Sequence, residues 1–314
     1  MPAATTARTA AGSWTGPSPP WWLEEGPGGG GGGIDRAPRG GPVNDLGGVA
    51  ALFVPGNRPD RFAKAGAAGD VVVLDLEDAV PDDEKDAALL HVLDALGTGG
   101  MRAVVRMVAP TDSCAEHQLR ELAARAGPNL QGVMIPKADD ASAVSAISAQ
   151  LAAVGVPVVP LIETAAGVMA AREVAAVPGV RRIALGLLDL AAELGVESDS
   201  PALDHARAAV VFASAAAGLT PPWDSPSPDI NDLDAVRRAA CRGRAWGFGG
   251  ALCIHPAQVG VVRESYEPSA EETRWAMSVV SAGDAAVQVD GRMVDRPVVE
   301  RARRILDRSR RELR

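Results

Sequence analysis

From residue 50 onward, short apolar runs of strand type alternate with Ala-rich helical stretches, and this alternation constrains the fold more than any other feature of the chain. Eight runs fit strands: 51–55, 71–77, 102–107, 132–137, 156–163, 181–187, 219–224 and 251–256. Helical stretches such as 59–68, 82–96, 114–126, 141–153, 164–177 and 232–246 lie between them. Eight parallel strands with helical crossovers in one domain imply a (β/α)8 TIM barrel rather than an open doubly wound sheet. Such barrels take roughly 200–250 residues as a single domain, which 314 residues accommodate. The seventh run is the weakest strand, because Pro221 and Pro222 cannot donate to a ladder.

The two ends of the chain fall outside this alternation. Residues 1–47 contain an unbroken glycine run, 28–33, flanked by Pro17, Pro19, Pro20 and Pro27, and are expected to form a disordered Gly/Pro-rich leader. The barrel is assigned to 48–266. Residues 267–314 form a C-terminal extension, with a helical pattern over 267–283, a short turn-bearing excursion and a basic helix from Val298. Two readings of it stay open: a lid that caps a site or docks on a neighbouring subunit, and a helix that only seals the barrel bottom.

Composition removes several function classes. A net charge of −9 argues against a nucleic-acid partner, since an acidic chain gains nothing from counterion release at phosphates. Cys114, Cys241 and Cys253 are odd in number and widely spaced, so they are expected as plain thiols in a reducing cytoplasm rather than as a disulfide or zinc framework. The chain has no apolar run of ~18 residues and no basic-then-apolar N-terminal pattern, so neither a membrane span nor a secretory signal is expected.

The strand runs end in polar groups: Asn57 and Arg58, then Asp75, Glu77 and Asp78, Arg106, Lys137, Glu163, Asp189, Asp224 and His255. Barrel enzymes draw their catalytic residues from the C-terminal ends of several strands, so this convergence points to an enzyme. Glu163 and Asp189 end neighbouring runs with no His or Cys ligand close by in sequence, which suits a hard cation such as Mg²⁺ completed by water or substrate oxygens. For either acid alone, a helix cap or an ion pair explains it equally well. A metal held by two carboxylates leaves room for a bidentate 2-oxo acid, and Arg106 suits that acid's carboxylate through its planar fork. One or more of Asp75, Glu77 and Asp78 then orients Arg106 or binds a metal water. His255 either lines the cleft or serves a structural turn, and Arg58 and Lys64 either meet phosphates or are simply solvated.

These residues carry a family resemblance. Leu52-Phe-Val-Pro-Gly-Asn-Arg-Pro-Asp-Arg-Phe62, Leu74-Asp-Leu-Glu-Asp-Ala-Val80, Met134-Ile-Pro-Lys137, Ile162-Glu-Thr164, Ala184-Leu-Gly186 with Asp189, and Ile254-His-Pro-Ala-Gln-Val259 resemble the citrate lyase beta subunit and malyl-CoA lyase family, within the aldolase and citrate lyase superfamily. The resemblance implies a homotrimeric or homohexameric barrel that uses Mg²⁺ to cleave or form a carbon–carbon bond in a 3-hydroxyacyl-CoA. It assigns the metal to Glu163 and Asp189, and the substrate carboxylate to Arg106. Phe53, Arg58, Lys64, Ile254 and His255 match positions that contact CoA. Asp295, in Gly291-Arg-Met-Val-Asp-Arg-Pro297, matches an acid/base supplied by the lid of a neighbouring subunit. Met107-Val108, Leu187-Leu188 and Ala251 depart from the family's more polar pattern and place the substrate towards a bulkier acyl group. Two further activities share the site: thioester hydrolysis, and action on a carrier-protein-bound acyl group as a citrate lyase subunit.

Overall fold

The computed structural model of the chain describes residues 46–125, 127–282, 287–289 and 292–311. The leader up to residue 45 lies outside the described residues. Leu46 is already part of the core, 1% exposed, with its carbonyl accepting from Arg182 Nη1.

The strands are β1 (Ala50–Pro55), β2 (Val71–Asp75), β3 (Ala103–Arg106), β4 (Leu130–Ile135), β5 (Val158–Ile162), β6 (Ala184–Leu185), β7 (Trp223–Asp224) and β8 (Gly250–Cys253). All pair in parallel with their sequence neighbours, and β1 pairs with β8 to close the barrel. Closure brings two backbones very near each other. A Cβ on Gly250 would come within 2.1 Å of the Val49 carbonyl oxygen, so glycine alone fits that seam. Crossovers run through α1 (Phe62–Ala68), α2 (Lys85–Gly97), α3 (Ala115–Arg125), α4 (Ala141–Ala152), α5 (Ala165–Ala175), α6 (Leu187–Leu194), α7 (Leu203–Ala217), α8 (Leu233–Trp246) and α9 (Pro256–Tyr266).

Apolar side chains partition as the strand period requires. Ala51, Val73, Val104, Met134, Val159, Leu161, Ala184, Trp223 and Leu252 fill the barrel interior. Their strand neighbours, Leu52, Leu74, Val105, Val133, Ile162 and Cys253 among them, face outward under the helices. Arg182 is 1% exposed, stacks 4.1 Å from the Trp223 ring and holds the Gly48 carbonyl at 2.8 Å. Its planar charge thus satisfies the chain's entry into the barrel while its face packs on an aromatic.

Two strands are cut to two residues each, far short of their expected runs. β7 begins only after Pro222, which supplies a carbonyl to Gly249 N–H at 2.9 Å but has no N–H to give. β6 stops at Leu185, because Gly186 is the N-cap of α6 and the chain turns into helix at Leu187. Beyond α9 come α10 (Ala270–Ser281), an antiparallel pair β9 (Val287–Val289) and β10 (Arg292–Val294), and α11 (Arg296–Arg311), so the basic helix begins two residues before Val298. Ala276, Val279, Val294, Val299, Ala302 and Ile305 form a small core of their own, and Arg244 of α8 pairs with Glu272 of α10 at 2.6 Å.

Candidate active site

Arg106 ends β3 and meets the acids that follow β2. Its Nε and Nη2 donate to Asp75 Oδ1 and Oδ2 at 2.7 and 2.6 Å. Asp75 also accepts the Glu77 and Ala79 backbone N–H groups, at 3.0 and 3.1 Å. Asp75 is therefore the acid that orients the arginine, and its lone pairs are spent on that task. The fork expected to grip substrate is the edge that holds Asp75, leaving Nη1 as the edge that faces Glu77 and Asp78. Nη1 stands 2.9 Å from Glu77 Oε2 and 3.5 Å from Asp78 Oδ2. The Phe53 ring lies 4.8 Å from the guanidinium carbon. Burial alone would depress Arg106, but the hydrogen bonds and charge of Asp75, then Glu77 and Asp78, outweigh it and hold the guanidinium firmly ionised.

Glu77 is 6% exposed, and neither of its carboxylate oxygens receives an aligned hydrogen bond. The 2.9 Å approach of Arg106 is charge contact without directed N–H geometry. Burial is the main force on this carboxyl, raising it from 4.5 to about 7 against the pull of Arg106.

Glu163 follows β5 and is 2% exposed. It does not cap the next helix: Thr164 does, accepting Gly167 N–H at 3.0 Å. Its Oε1 takes the Lys137 backbone N–H at 2.9 Å. Its other side lies against Gly186, where a Cβ would come within 2.7 Å of Glu163 Cβ and 2.9 Å of Oε2. The carboxylate is thus wedged in one orientation between the β4 and β6 ends. Burial, then repulsion from Glu77, pushes it up to about 8, with Asp189 adding to the rise and Arg106 opposing it. Asp189 is exposed and sits in the first turn of α6, not at the strand tip expected.

Negative charge is under-compensated at this mouth. Lys137 Nζ reaches Glu77 Oε1 only at 3.6 Å, and Arg106 is committed to Asp75. A divalent cation would relieve the repulsion that lifts Glu163 and would give unbonded carboxylate oxygens a partner. Among the described residues no group of three or more His, Cys, Asp and Glu side chains could hold a metal. Two carboxylates with several water or ligand oxygens are a donor set that suits a hard divalent cation.

The remaining expected residues stand apart from this cluster. Arg58 is paired with Asp60 at 3.0 and 2.9 Å, Lys64 is exposed on α1, and Ile254 is 40% exposed after β8. His255 is the N-cap of α9: Nδ1 accepts Ala257 N–H at 3.2 Å, and Gln258 completes a capping box. Asp295 is exposed at the start of α11, with Oδ1 3.4 Å from Val298 N. Sequence reasoning underrated Lys137, Gly186 and Gln258. Gln258 is buried and ties the β7–α8 loop to the β8 end, donating to the Ser227 and Asp229 carbonyls and accepting Ile254 N–H. The three thiols are free, and burial pushes Cys253 up to about 12, so it stays protonated. No described helix is long and apolar enough to cross a membrane.

A closed (β/α)8 barrel with an arginine and clustered buried carboxylates at the C-terminal strand ends has the layout of a barrel enzyme. Residues 50–256 match the HpcH/HpaI aldolase/citrate lyase family, and the chain belongs to that lyase family. It is 37% identical to a citrate lyase subunit beta-like protein of Mycobacterium tuberculosis, over 83% of this chain and 96% of that one. Two enzymes of Cereibacter sphaeroides are also similar. A (3S)-malyl-CoA thioesterase is 32% identical over 83% of this chain and 94% of its own, and an L-malyl-CoA/beta-methylmalyl-CoA lyase is 31% identical over 80% and 91%. The crystal structure of the M. tuberculosis protein CitE in complex with magnesium, acetoacetate and coenzyme A superposes with a TM-score of 0.75 at 36% identity, covering 84% of this chain and 99% of that chain.

Proposed function

We propose that this chain is a Mg²⁺-dependent lyase that cleaves or forms the carbon–carbon bond of a malyl-, citramalyl- or citryl-type 3-hydroxyacyl-CoA. The observation that carries this reading is the buried pair Glu77 and Glu163, both lifted by burial and Glu163 further by Glu77, beside the Nη1 edge of Arg106. Glu163 and Asp189 would hold the ion. When bound, it supplies Lewis-acid stabilisation of negative charge developing on the 2-oxo acid's oxygens.

The chain's own groups do the rest. Arg106 binds the carboxylate of the 2-oxo acid moiety through Nη1 and orients it, while Asp75 keeps the guanidinium plane fixed. Cleavage breaks the bond between the carbon alpha to the thioester and the hydroxyl-bearing carbon. The hydroxyl proton passes to solvent as the 2-oxo acid forms, and the acyl-CoA enolate takes up a proton at its alpha carbon. Asp295, brought by the extension of a neighbouring subunit in a homotrimer or homohexamer, moves the proton at that carbon. Glu77, with its carboxyl near 7, holds or releases a proton close to neutral pH beside Arg106. Phe53, Arg58, Lys64, Ile254 and His255 line the CoA side. In this reading, residues 1–47 are a leader, 48–266 the catalytic barrel and 267–314 the lid.

The similarity to a malyl-CoA thioesterase favours one alternative, attack of water on the thioester by the same site. Incubating malyl-, citramalyl-, methylmalyl- and citryl-CoA with Mg²⁺ and identifying products by mass separates the two. The lyase gives a 2-oxo acid and an acyl-CoA. Free hydroxy acid with CoA establishes the hydrolase, and co-purification of an acyl carrier protein would move the assignment to a citrate lyase subunit.

A further inference from the structure

We propose that Lys137 is a positioning residue whose left-handed backbone presets Glu163 for the metal, an inference that rests on Glu163 being a metal ligand. Among the described residues Lys137 is the one non-glycine with positive φ, at +46°. The local sequence explains what this conformation achieves. β4 ends at Ile135, and Pro136 has no N–H, so Lys137 carries the first donor beyond the strand. In an extended chain successive N–H groups point to opposite sides. With Lys137 left-handed, two successive N–H groups face the β5 end: that of Lys137 reaches Glu163 Oε1 at 2.9 Å and that of Ala138 reaches the Leu161 carbonyl at 3.2 Å. The first fixes the carboxylate and the second anchors the turn to the strand that carries it.

A lysine here bears the Cβ strain that glycine escapes. The geometry therefore separates backbone from side chain. Residues that tolerate positive φ should preserve the metal site whatever their charge, and a β-branched residue should spoil it.

The test uses the full-length chain and Mn²⁺ as probe, with affinity read from free Mn²⁺ by electron paramagnetic resonance and folding followed by circular dichroism. Lys137→Gly and Lys137→Asn are expected to bind Mn²⁺ within about twofold of wild type, and Lys137→Val about tenfold or more weaker, the usual effect of losing a group that orients a ligand. The melting temperature of Lys137→Gly should equal or exceed that of wild type. If Lys137→Gly and Lys137→Asn both lose affinity tenfold, the ammonium and not the backbone serves the metal, and the proposal is overturned. Lys137→Val binding like wild type overturns it equally. Should Lys137→Val not fold, the Gly and Asn results decide alone. Glu163→Gln is the separate arm: unchanged Mn²⁺ affinity there removes the metal from Glu163 and sinks the underlying reading, irrespective of the Lys137 series.

Discussion

Replacing Glu163 by Gln isolates the electrostatic strain at the centre of the site. The carboxyl's folded value, about 8, lies above its ordinary 4.5, because burial and then Glu77 disfavour the charged form. The fold thus prefers the protonated acid. Its contribution to stability is full below about pH 4.5 and is lost as pH rises through about 8. At pH 8 without metal, the displacement from 4.5 to about 8 converts at ~1.4 kcal/mol per pKa unit to an upper bound of about 5 kcal/mol, and relaxation of the site leaves roughly 2–4 kcal/mol. Gln keeps an oxygen for the Lys137 N–H and carries no charge. Metal-free Glu163→Gln should therefore melt roughly 5–10 °C above wild type at pH 8 and close to wild type at pH 5. Saturating Mg²⁺ should close most of that gap. At about 100 times its Kd an ion stabilises wild type by ~2.7 kcal/mol, while the variant gains nothing at that site. Differential scanning calorimetry at pH 5 and 8, with and without Mg²⁺, reads all four states. Parallel pH dependence of the two proteins, or an equal Mg²⁺ gain in both, would refute the reasoning.

Three further outcomes follow from the same geometry. Arg106→Lys should lower kcat/KM by about 10²–10³ in steady-state assays, because an ammonium cannot hold Asp75 with one edge and a carboxylate with the other. Gly186→Ala should weaken Mn²⁺ affinity in titration calorimetry, since its Cβ would meet Glu163 Cβ at 2.7 Å and push the carboxylate off line. Asp295→Asn should cut kcat about 10²–10⁴-fold with little change in Mg²⁺ affinity. Mixing Asp295→Asn with Glu163→Gln subunits should then recover part of the activity if the lid acts in trans, and recovering none would place Asp295 in its own subunit's site.

The barrel was legible in the alternation of runs because each strand needs an apolar interior face and an apolar helix-facing side. The periodicity nevertheless overruns at β6 and β7, where Gly186 starts a helix and Pro221 and Pro222 withhold donors. Charge at the strand ends singled out Arg106 and Glu163, because barrel enzymes draw catalytic residues from those ends. The division of labour among Asp75, Glu77 and Asp78 was not legible: which carboxylate faces the Nε–Nη2 edge depends on how the chain turns after β2, and three acids within four residues carry no such order. Lys137 was hidden for a related reason. A left-handed φ at a non-glycine residue is imposed by tertiary hydrogen bonds, and nothing in Pro136-Lys137 announces it. His255 was legible as a residue but not as a role, and in the described structure it serves as the helix cap.

The measurement that bears most directly on the central claim is the initial rate of 2-oxo acid release from malyl-CoA as Mg²⁺ is raised, for wild type, Glu163→Gln and Asp189→Asn. The account predicts no release without a divalent ion, saturation with Mg²⁺ for wild type, and loss of most of that response in both variants. Release that is independent of Mg²⁺, or equally responsive in all three proteins, would contradict it.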